Sequence, residues 1–344
     1  MNEVKQMIGW QERLVLTSPL WVSKTSIMLL NELNSIKPVR WEGLEVKPPR
    51  TLAFTIAEFC NAACTFCCHR FSKPTTYMSN DIFFKTAREY HEAGGKRIWL
   101  NAMTGESLMD PAFFEKTAFL RSLGHFDSID LQTNGILLKN DQIVDSIIKS
   151  GITTLHISTA GFEKVTYERY MGIRKYDQFM SGIKRLLSRN KELGNPLPIQ
   201  FQIRGTLDVV ETEDFAKEIQ PFMRSSNGKI SINFLRLYHD WGGQIREEDL
   251  PKNCGIRLRS HIRRRPCSNT FNLGVLANGD LRLCNCNYGE DGRADALKIG
   301  NINEGRLMDI WRSAITGQVR RTSRKPNLNN ICQKCRMYTS VTIH

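Results

Sequence analysis

Three cysteines crowd the run Cys60-Asn61-Ala62-Ala63-Cys64-Thr65-Phe66-Cys67 at spacings of four and three. Three thiolates on one short loop can turn onto three corners of a [4Fe–4S] cube, leaving the fourth iron without a protein ligand. An open iron can bind and activate a small molecule, whereas a cluster closed by four cysteines mostly carries electrons. The pattern is short, so a zinc site or coincidence stands beside the cluster. A second group follows after a long gap: Cys254, Cys267, Cys284, Cys286, Cys332 and Cys335. Cys332-Gln333-Lys334-Cys335 is a C-x2-C knuckle, a local grip on one metal or one cluster edge. Cys267 and Cys284 flank a hairpin expected at Asn278-Gly279-Asp280, so pairing its strands would bring them together. Cys267, Cys284, Cys332 and Cys335 are therefore the expected ligands of a second centre, with Cys286 as the alternative to Cys284. Four thiolates suit Zn2+ or a [4Fe–4S] cluster, and spacing does not separate the two. Cys68, Cys254 and Cys286 read first as structural thiols.

The strand before the first cysteines is Thr51-Leu52-Ala53-Phe54-Thr55-Ile56-Ala57, short, apolar and β-branched. The cysteines thus leave a strand end, where α/β folds place their chemistry. From 51 to about 240 the pattern alternates. Strands are expected at 51–57, 97–100, 127–133, 153–158, 199–204 and 229–237. Helices are expected near 79–93, 111–123, 140–150, 163–190 and 211–224, with turn signals at Gly94-Gly95, Asp110-Pro111, Asn134-Gly135 and Asn195-Pro196. Six strand–helix units predict an α/β fold, a parallel sheet curled into a barrel or part of one. Residues 1–50 read as a helical N-terminal cap and linker. Residues 241–344 read as a small cysteine-rich domain with a hairpin and a short helix over 302–315.

The chain has 344 residues, 41% of them hydrophobic and 24% charged, which suits a globular protein with one large core or two smaller ones. No segment approaches the roughly 20 apolar residues that cross a bilayer. The start, Met1-Asn2-Glu3-Val4-Lys5-Gln6, lacks a secretory pattern, so a cytoplasmic protein is expected. In that compartment ten cysteines favour metal over disulfides. The formal charge is +13, much of it late: Arg257, Arg259, Arg263, Arg264 and Arg265, then Arg320, Arg321, Arg324 and Lys325. Such a run is a solvated face offsetting thiolate-ligated clusters, or it meets an anionic substrate. It lacks the interleaved aromatics of a single-strand stacking platform.

C-x3-C-x-aromatic-C after the first strand, with Phe66 as the aromatic residue, resembles the radical S-adenosylmethionine (SAM) superfamily. The resemblance implies a partial (β/α)6 barrel and a site-differentiated [4Fe–4S] cluster on Cys60, Cys64 and Cys67 that binds SAM. It also implies one-electron cleavage of SAM to a 5′-deoxyadenosyl radical. Arg265-Pro266-Cys267, Asn278-Gly279-Asp280, Leu283-Cys284, Ile299-Gly300-Asn301-Ile302, Ile310-Trp311 and Cys332-x-x-Cys335 resemble the C-terminal extension called SPASM, or its shorter twitch form. That implies an auxiliary [4Fe–4S] cluster, with enough cysteines here for one.

A cofactor with an amino-acid end needs a carboxylate for its ammonium. Thr104-Gly105-Glu106-Ser107 is similar to the family's Gly-Gly-Glu-Pro motif, with Gly105 and Glu106 kept. The plainer reading of Glu106 is a loop carboxylate satisfied by backbone amides. Ser158 ends the fourth strand and matches the family's SAM-contacting polar residue. Where many relatives carry Arg-Gly this chain has Met171-Gly172, so Arg169, Arg174 or Arg204 takes the SAM carboxylate. Arg204 is otherwise a salt-bridged barrel arginine, and Asn134 a turn former.

The expected function is a radical SAM oxidoreductase that dehydrogenates a carbohydrate-like or nucleotide-linked small molecule in a biosynthetic pathway. A one-electron donor such as flavodoxin or ferredoxin is its implied partner. One alternative is a redox-neutral epimerase with Cys254, expected near the barrel mouth, as hydrogen-atom donor. A second is a peptide-modifying enzyme, against which the short N-terminal stretch leaves little space for a leader-binding domain. A third, from a different class, is a zinc-stabilised nucleic-acid-binding protein.

Overall fold

The computed structural model describes residues 16–37, 42–72, 76–101, 103–285, 295–324 and 330–341. Cys286 and Lys325 lie outside them. Six parallel strands run in chain order across one sheet: β1 (Leu52–Phe54), β2 (Arg97–Leu100), β3 (Ser128–Thr133), β4 (Thr154–Thr159), β5 (Ile199–Ile203) and β6 (Ile230–Phe234). Sequential order with helical crossovers is the wiring of a (β/α) barrel, here left partial. The connecting helices are α2 (Asn80–Glu92), α3 (Phe113–Leu123), α4 (Asp141–Ile148), α5 (Lys164–Met171), α6 (Tyr176–Glu192), α7 (Glu213–Glu218) and α8 (Gln220–Ser225). An N-terminal helix, α1 (Leu20–Ile36), precedes β1.

Helix starts follow their caps. The Ser79 hydroxyl accepts from the Ile82 N–H at 3.3 Å, and Asn140 caps Ile143 at 2.9 Å, each contributing about 1 kcal/mol. In α6, Phe179, Ile183, Leu186 and Leu187 fall on one buried face, the spacing of an amphipathic helix. They join an aromatic cluster in which Tyr167 stacks on Phe179 at 4.7 Å and Phe162 meets Phe215 at 5.2 Å. Burying each such side chain stabilises the fold by about 1.5–3 kcal/mol.

Strand alternation sorts the two faces. In β3 Ile129, Leu131 and Thr133 are buried, while Ser128, Asp130 and Gln132 are partly exposed. Register then aligns Gln132, His156, Gln200 and Ser231 in one row across β3 to β6, and Ser158, Gln202 and Asn233 in the row above. The barrel lumen is thus polar on this side, with His156 Nδ1 3.2 Å from both Gln200 Oε1 and Gln202 Nε2.

The structure departs from the expected elements at four places. The helix expected over 163–190 is two helices, broken where Gly172 takes φ 68°. Pro221 begins α8 and splits the helix expected over 211–224. The strand expected over 229–237 ends at Phe234; β7 (Leu237–Tyr238) pairs instead with β8 (Gly255–Ile256). The stretch 302–315 gives α9 (Leu307–Trp311), and Ser313 caps a new helix, α10 (Ala314–Ser323).

Beyond residue 241 the expected hairpin forms as β9 (Leu273–Val275) and β10 (Asp280–Arg282), joined by β11 (Lys298–Asn301). β9 also pairs in parallel with β1, so the sheet runs β11-β10-β9-β1-β2-β3-β4-β5-β6 without a break. The cysteine-rich part is therefore stitched to the strand that launches the first cysteine loop. A last helix, α11 (Asn330–Lys334), carries the C-x2-C knuckle.

Candidate metal and cofactor centre

The loop after β1 is held by the C-terminus of α5. The Ala63 N–H donates to the Met171 carbonyl at 3.1 Å and the Thr65 N–H to the Tyr170 carbonyl at 3.0 Å, satisfying carbonyls that a helix end leaves open. Gly172 makes this docking possible, because a Cβ there would lie 2.1 Å from the Ala63 carbonyl oxygen. Met171-Gly172, where an Arg-Gly pair was sought, is thus the seat of the cysteine loop.

Cys60, Cys64 and Cys67 line one cavity of about 270 Å³, together with Phe66, Gly105, Glu106, Ser158 and Arg204. Of the three arginines offered for the SAM carboxylate, Arg204 lines the cavity and Arg169 and Arg174 do not. The thiols sense one another: burial first, then the neighbouring Cys67 and Cys60 sulfurs, push Cys64 well above the ordinary thiol range. Burial pushes Cys60 to about 12. Cys67 goes the other way, to about 7, because Cys68 and then the His69 N–H hydrogen-bond its sulfur, with Arg204 nearby. Cys68, expected only to pack beside the loop, therefore favours a thiolate ligand. Three unbridged thiols around one hollow, one already poised to ionise, fit three corners of a cluster.

Gly105 adopts φ 93°, and a Cβ there would sit 1.9 Å from the Ala57 carbonyl oxygen. Only glycine lets the loop after β2 press against the end of β1. The Glu106 N–H then donates to Phe59 at 2.8 Å. The Glu106 carboxylate accepts from the Leu108 N–H at 3.2 Å and the Asn134 N–H at 2.8 Å. Backbone amides do engage it, as the plainer reading had it, but it also lines the cavity with lone pairs to spare. Burial lifts its pKa to about 7. Asn134 does more than shape a turn. Its Oδ1 accepts from the Ile136 N–H at 3.0 Å, while its Nδ2 donates to Asn61 Oδ1 at 2.7 Å and lies 3.8 Å from Cys60 Sγ. Arg204 Nε donates to Ser158 Oγ at 3.3 Å, and the guanidinium lies 5.7 Å from the Phe66 ring centre.

The cavity also takes residues that pattern reading passed over: Asn101, Met103, Tyr238, His239, Trp241, Asn285 and Met337. A signal was present in Tyr238-His239-Asp240-Trp241-Gly242-Gly243, a polar and aromatic cluster at a strand end. Cys254 is buried at 8% exposure and is not among the residues lining the cavity; its side chain interacts with that of Tyr238, which does line it.

Cys267, Cys284, Cys332 and Cys335 line a second hollow with Tyr338 and Arg263. Burial raises Cys332 most, followed by the neighbouring sulfurs of Cys284, Cys267 and Cys335. Four unbridged thiols around one hollow offer four ligands to a single [4Fe–4S] cluster. Cys284, the favoured of the two alternatives, is in this set. Arg263 is buried and donates to the Cys332 carbonyl at 2.7 Å and the Cys335 carbonyl at 2.9 Å. Arg265 is likewise buried, donating to Val341 at 2.9 Å, and Arg320 lies 4.1 Å from the Trp311 ring centre. Three of the nine basic residues are therefore structural, neither a solvated face nor a substrate surface. The two hollows adjoin: Asn285, next to Cys284, and Met337, two residues past Cys335, both face the first cavity.

Comparison with known proteins agrees with this layout. Residues 54–197 match the model of the radical SAM superfamily, and residues 267–336 match that of the SPASM iron–sulfur cluster-binding domain. The chain is 23% identical over 275 residues to GTP 3′,8-cyclase of Haemophilus influenzae, covering 70% of this chain and 78% of that protein. It is 24% identical over 296 residues to molybdenum cofactor biosynthesis protein 1 of Bos taurus, covering 75% of this chain and 45% of that protein. Its fold is similar to that of BtrN in complex with AdoMet and 2-DOIA, with TM-score 0.54 and 16% identity over 84% of this chain and 93% of that one. It is also similar to Streptococcus suis SuiB bound to precursor peptide SuiA, with TM-score 0.59 and 14% identity over 81% and 69%.

Proposed function

This chain belongs to the radical SAM superfamily and carries a C-terminal SPASM domain, and from that premise we propose that it oxidises a small, nucleotide-linked or carbohydrate-like molecule. The reading is carried by one observation: three thiols, Gly105, Glu106, Ser158 and Arg204 share one cavity whose wall abuts a four-thiol hollow. Family membership removes the zinc-stabilised nucleic-acid-binding alternative. Cys60, Cys64 and Cys67 would hold the cluster, and Cys267, Cys284, Cys332 and Cys335 the auxiliary one.

A cluster held by Cys60, Cys64 and Cys67 would supply the electron for reductive cleavage of SAM, and so the radical chemistry needed to activate a substrate C–H bond. The chain's own residues orient and shield. Arg204, fixed by Ser158, is the fork for the SAM carboxylate. Glu106, ionised above about 7, takes the ammonium with backbone carbonyls of the same loop. Leu235, Leu237, Met171 and Trp241 wall off water, which a reactive radical requires. Cys284 and Cys335 each lie within two residues of the cavity wall, giving an electron a short way out, and this supports oxidation. Cys254 is not among the residues lining the cavity, which counts against the epimerase. The GTP cyclase relative supports a nucleotide-like substrate.

The test is anaerobic incubation with reductant and SAM, watching for 5′-deoxyadenosine, then a panel of sugars, nucleotides and peptides scored for stimulation and for product two hydrogens lighter. A product of unchanged mass would refute oxidation. Stimulation by peptides alone would move the enzyme to the peptide-modifying class.

A further inference from the structure

Beside the reaction cavity lies a second cleft, roughly 580 Å³, whose wall includes Asp240, Gly242, Gly243, Arg259, Lys334 and Arg336. The two spaces share one partition. Trp241 and Met337 face the cavity, while their chain neighbours Asp240, Gly242 and Arg336 face the cleft. The partition is built against preference: Trp241 takes φ 49°, a left-handed conformation that a bulky side chain rarely adopts, followed by Gly242 and Gly243 at 78° and 98°. Such strain concentrates at ligand-binding sites.

The charges in the cleft do not cancel. Arg336 Nε pairs with Asp240 Oδ2 at 2.6 Å, and its Nη1 donates to the Arg257 carbonyl at 3.1 Å. The other Asp240 oxygen lies 3.5 Å from His239 Nδ1. Glu32, at the edge, accepts from the His261 and Ile262 N–H groups at 2.6 and 3.3 Å. Arg259 gives one Nη1 to the Gln333 carbonyl at 2.9 Å. Among the described residues no carboxylate pairs with Arg259 or with Lys334, and both are exposed. Asp240 thus gives one oxygen to Arg336 and keeps the other without a hydrogen bond, while two further cations from separate segments face the same space.

We propose that this cleft binds the phosphate end of the substrate while the reacting carbon lies past Trp241 in the cavity. The proposal rests on the radical SAM reading above and narrows its substrate to a phosphate ester or polyphosphate. A guanidinium fork and an ammonium point charge are the pair that recognises phosphate oxygens, and two adjacent glycines leave room for a bulky anion to approach.

The test uses anaerobically reconstituted holoenzyme and calorimetric titration with inorganic pyrophosphate, and separately with an acetylated tetraglutamate peptide. Saturable pyrophosphate binding is expected, weakening between about 50 and about 200 mM salt. Arg259→Ala and Lys334→Ala should each lose about tenfold to a hundredfold in affinity, the worth of a charge-assisted hydrogen bond. Absence of saturable binding overturns the proposal, as does wild-type affinity in both variants. Tighter binding of tetraglutamate through the same residues would also overturn it and assign an acidic peptide. Formation of 5′-deoxyadenosine by the same preparation is read in parallel. Its absence refutes the radical reading, whereas its presence without pyrophosphate binding refutes only the cleft assignment.

Discussion

Replacing Gly172 by alanine should uncouple the cysteine loop from the barrel. At φ 68° an alanine pays about 1 kcal/mol for the left-handed backbone. The added Cβ would meet the Ala63 carbonyl oxygen at 2.1 Å and its carbonyl carbon at 2.7 Å, both rigid backbone. The loop must retreat by roughly 1 Å to reach ordinary contact. That breaks the Ala63–Met171 and Thr65–Tyr170 hydrogen bonds, each contributing about 0.5–1.5 kcal/mol. The expected loss is about 2–4 kcal/mol, and it falls on the segment between Cys60 and Cys67. Gly194→Ala is the matched control: φ is 81°, nothing lies within 4 Å of the added Cβ, and the cost is about 1 kcal/mol of strain. Melting temperature and iron per chain after anaerobic reconstitution read the two effects separately. Gly172→Ala should melt several degrees below Gly194→Ala, at roughly 2 °C per kcal/mol, and hold about four irons rather than about eight. If the two variants melt together and hold equal iron, the docking of the loop on α5 does not position the thiols.

Arg204→Lys should weaken SAM binding at least about tenfold, since an ammonium cannot reproduce the bidentate fork; anaerobic equilibrium dialysis measures it. Cys284→Ser should lower iron from about eight to about four per chain, whereas Cys286→Ser should keep it, which iron analysis decides. Burial holds the His156 imidazole below its ordinary 6.5, so the unfolded chain takes up that proton first as pH falls. Stability should therefore drop below about 6.5, and His156→Gln should flatten that part of a denaturation-versus-pH curve. Lys116 and Asp110 form a buried pair at 2.7 Å, so Lys116→Ala should cost about 3–5 kcal/mol in urea unfolding by stranding a carboxylate.

Elements built on local periodicity were legible in the chain. The strands over 97–100, 127–133 and 153–158 and the helix over 79–93 follow from alternation, caps and turn residues, and the structure moves their ends by a residue or two. Where a long-range contact decided, local reading failed. Gly172 breaks a helix because the cysteine loop needs its place, and residues 237–238 leave the barrel because Gly255–Ile256 offers a closer partner. The basic run shows the same limit: Arg263 and Arg259 stand four apart, yet one is buried on the carbonyls of the knuckle and the other faces an open cleft.

The sequence by itself determined the chemistry of this protein, because thiol spacing within a loop and apolar spacing along strands are local quantities that survive any tertiary arrangement. Only the tertiary structure decided which groups share a space. It put Cys284 with Cys267, Cys332 and Cys335, tied Glu106 to Asn134, set Cys254 against Tyr238, and brought Tyr238, His239 and Trp241 into the cavity wall. The physical reason is that such convergence depends on the pairing of β9 with β1 and on how loops from distant strands close over one another. The β9–β1 pairing joins residues more than two hundred positions apart, and no periodicity along the chain encodes it or the loop contacts.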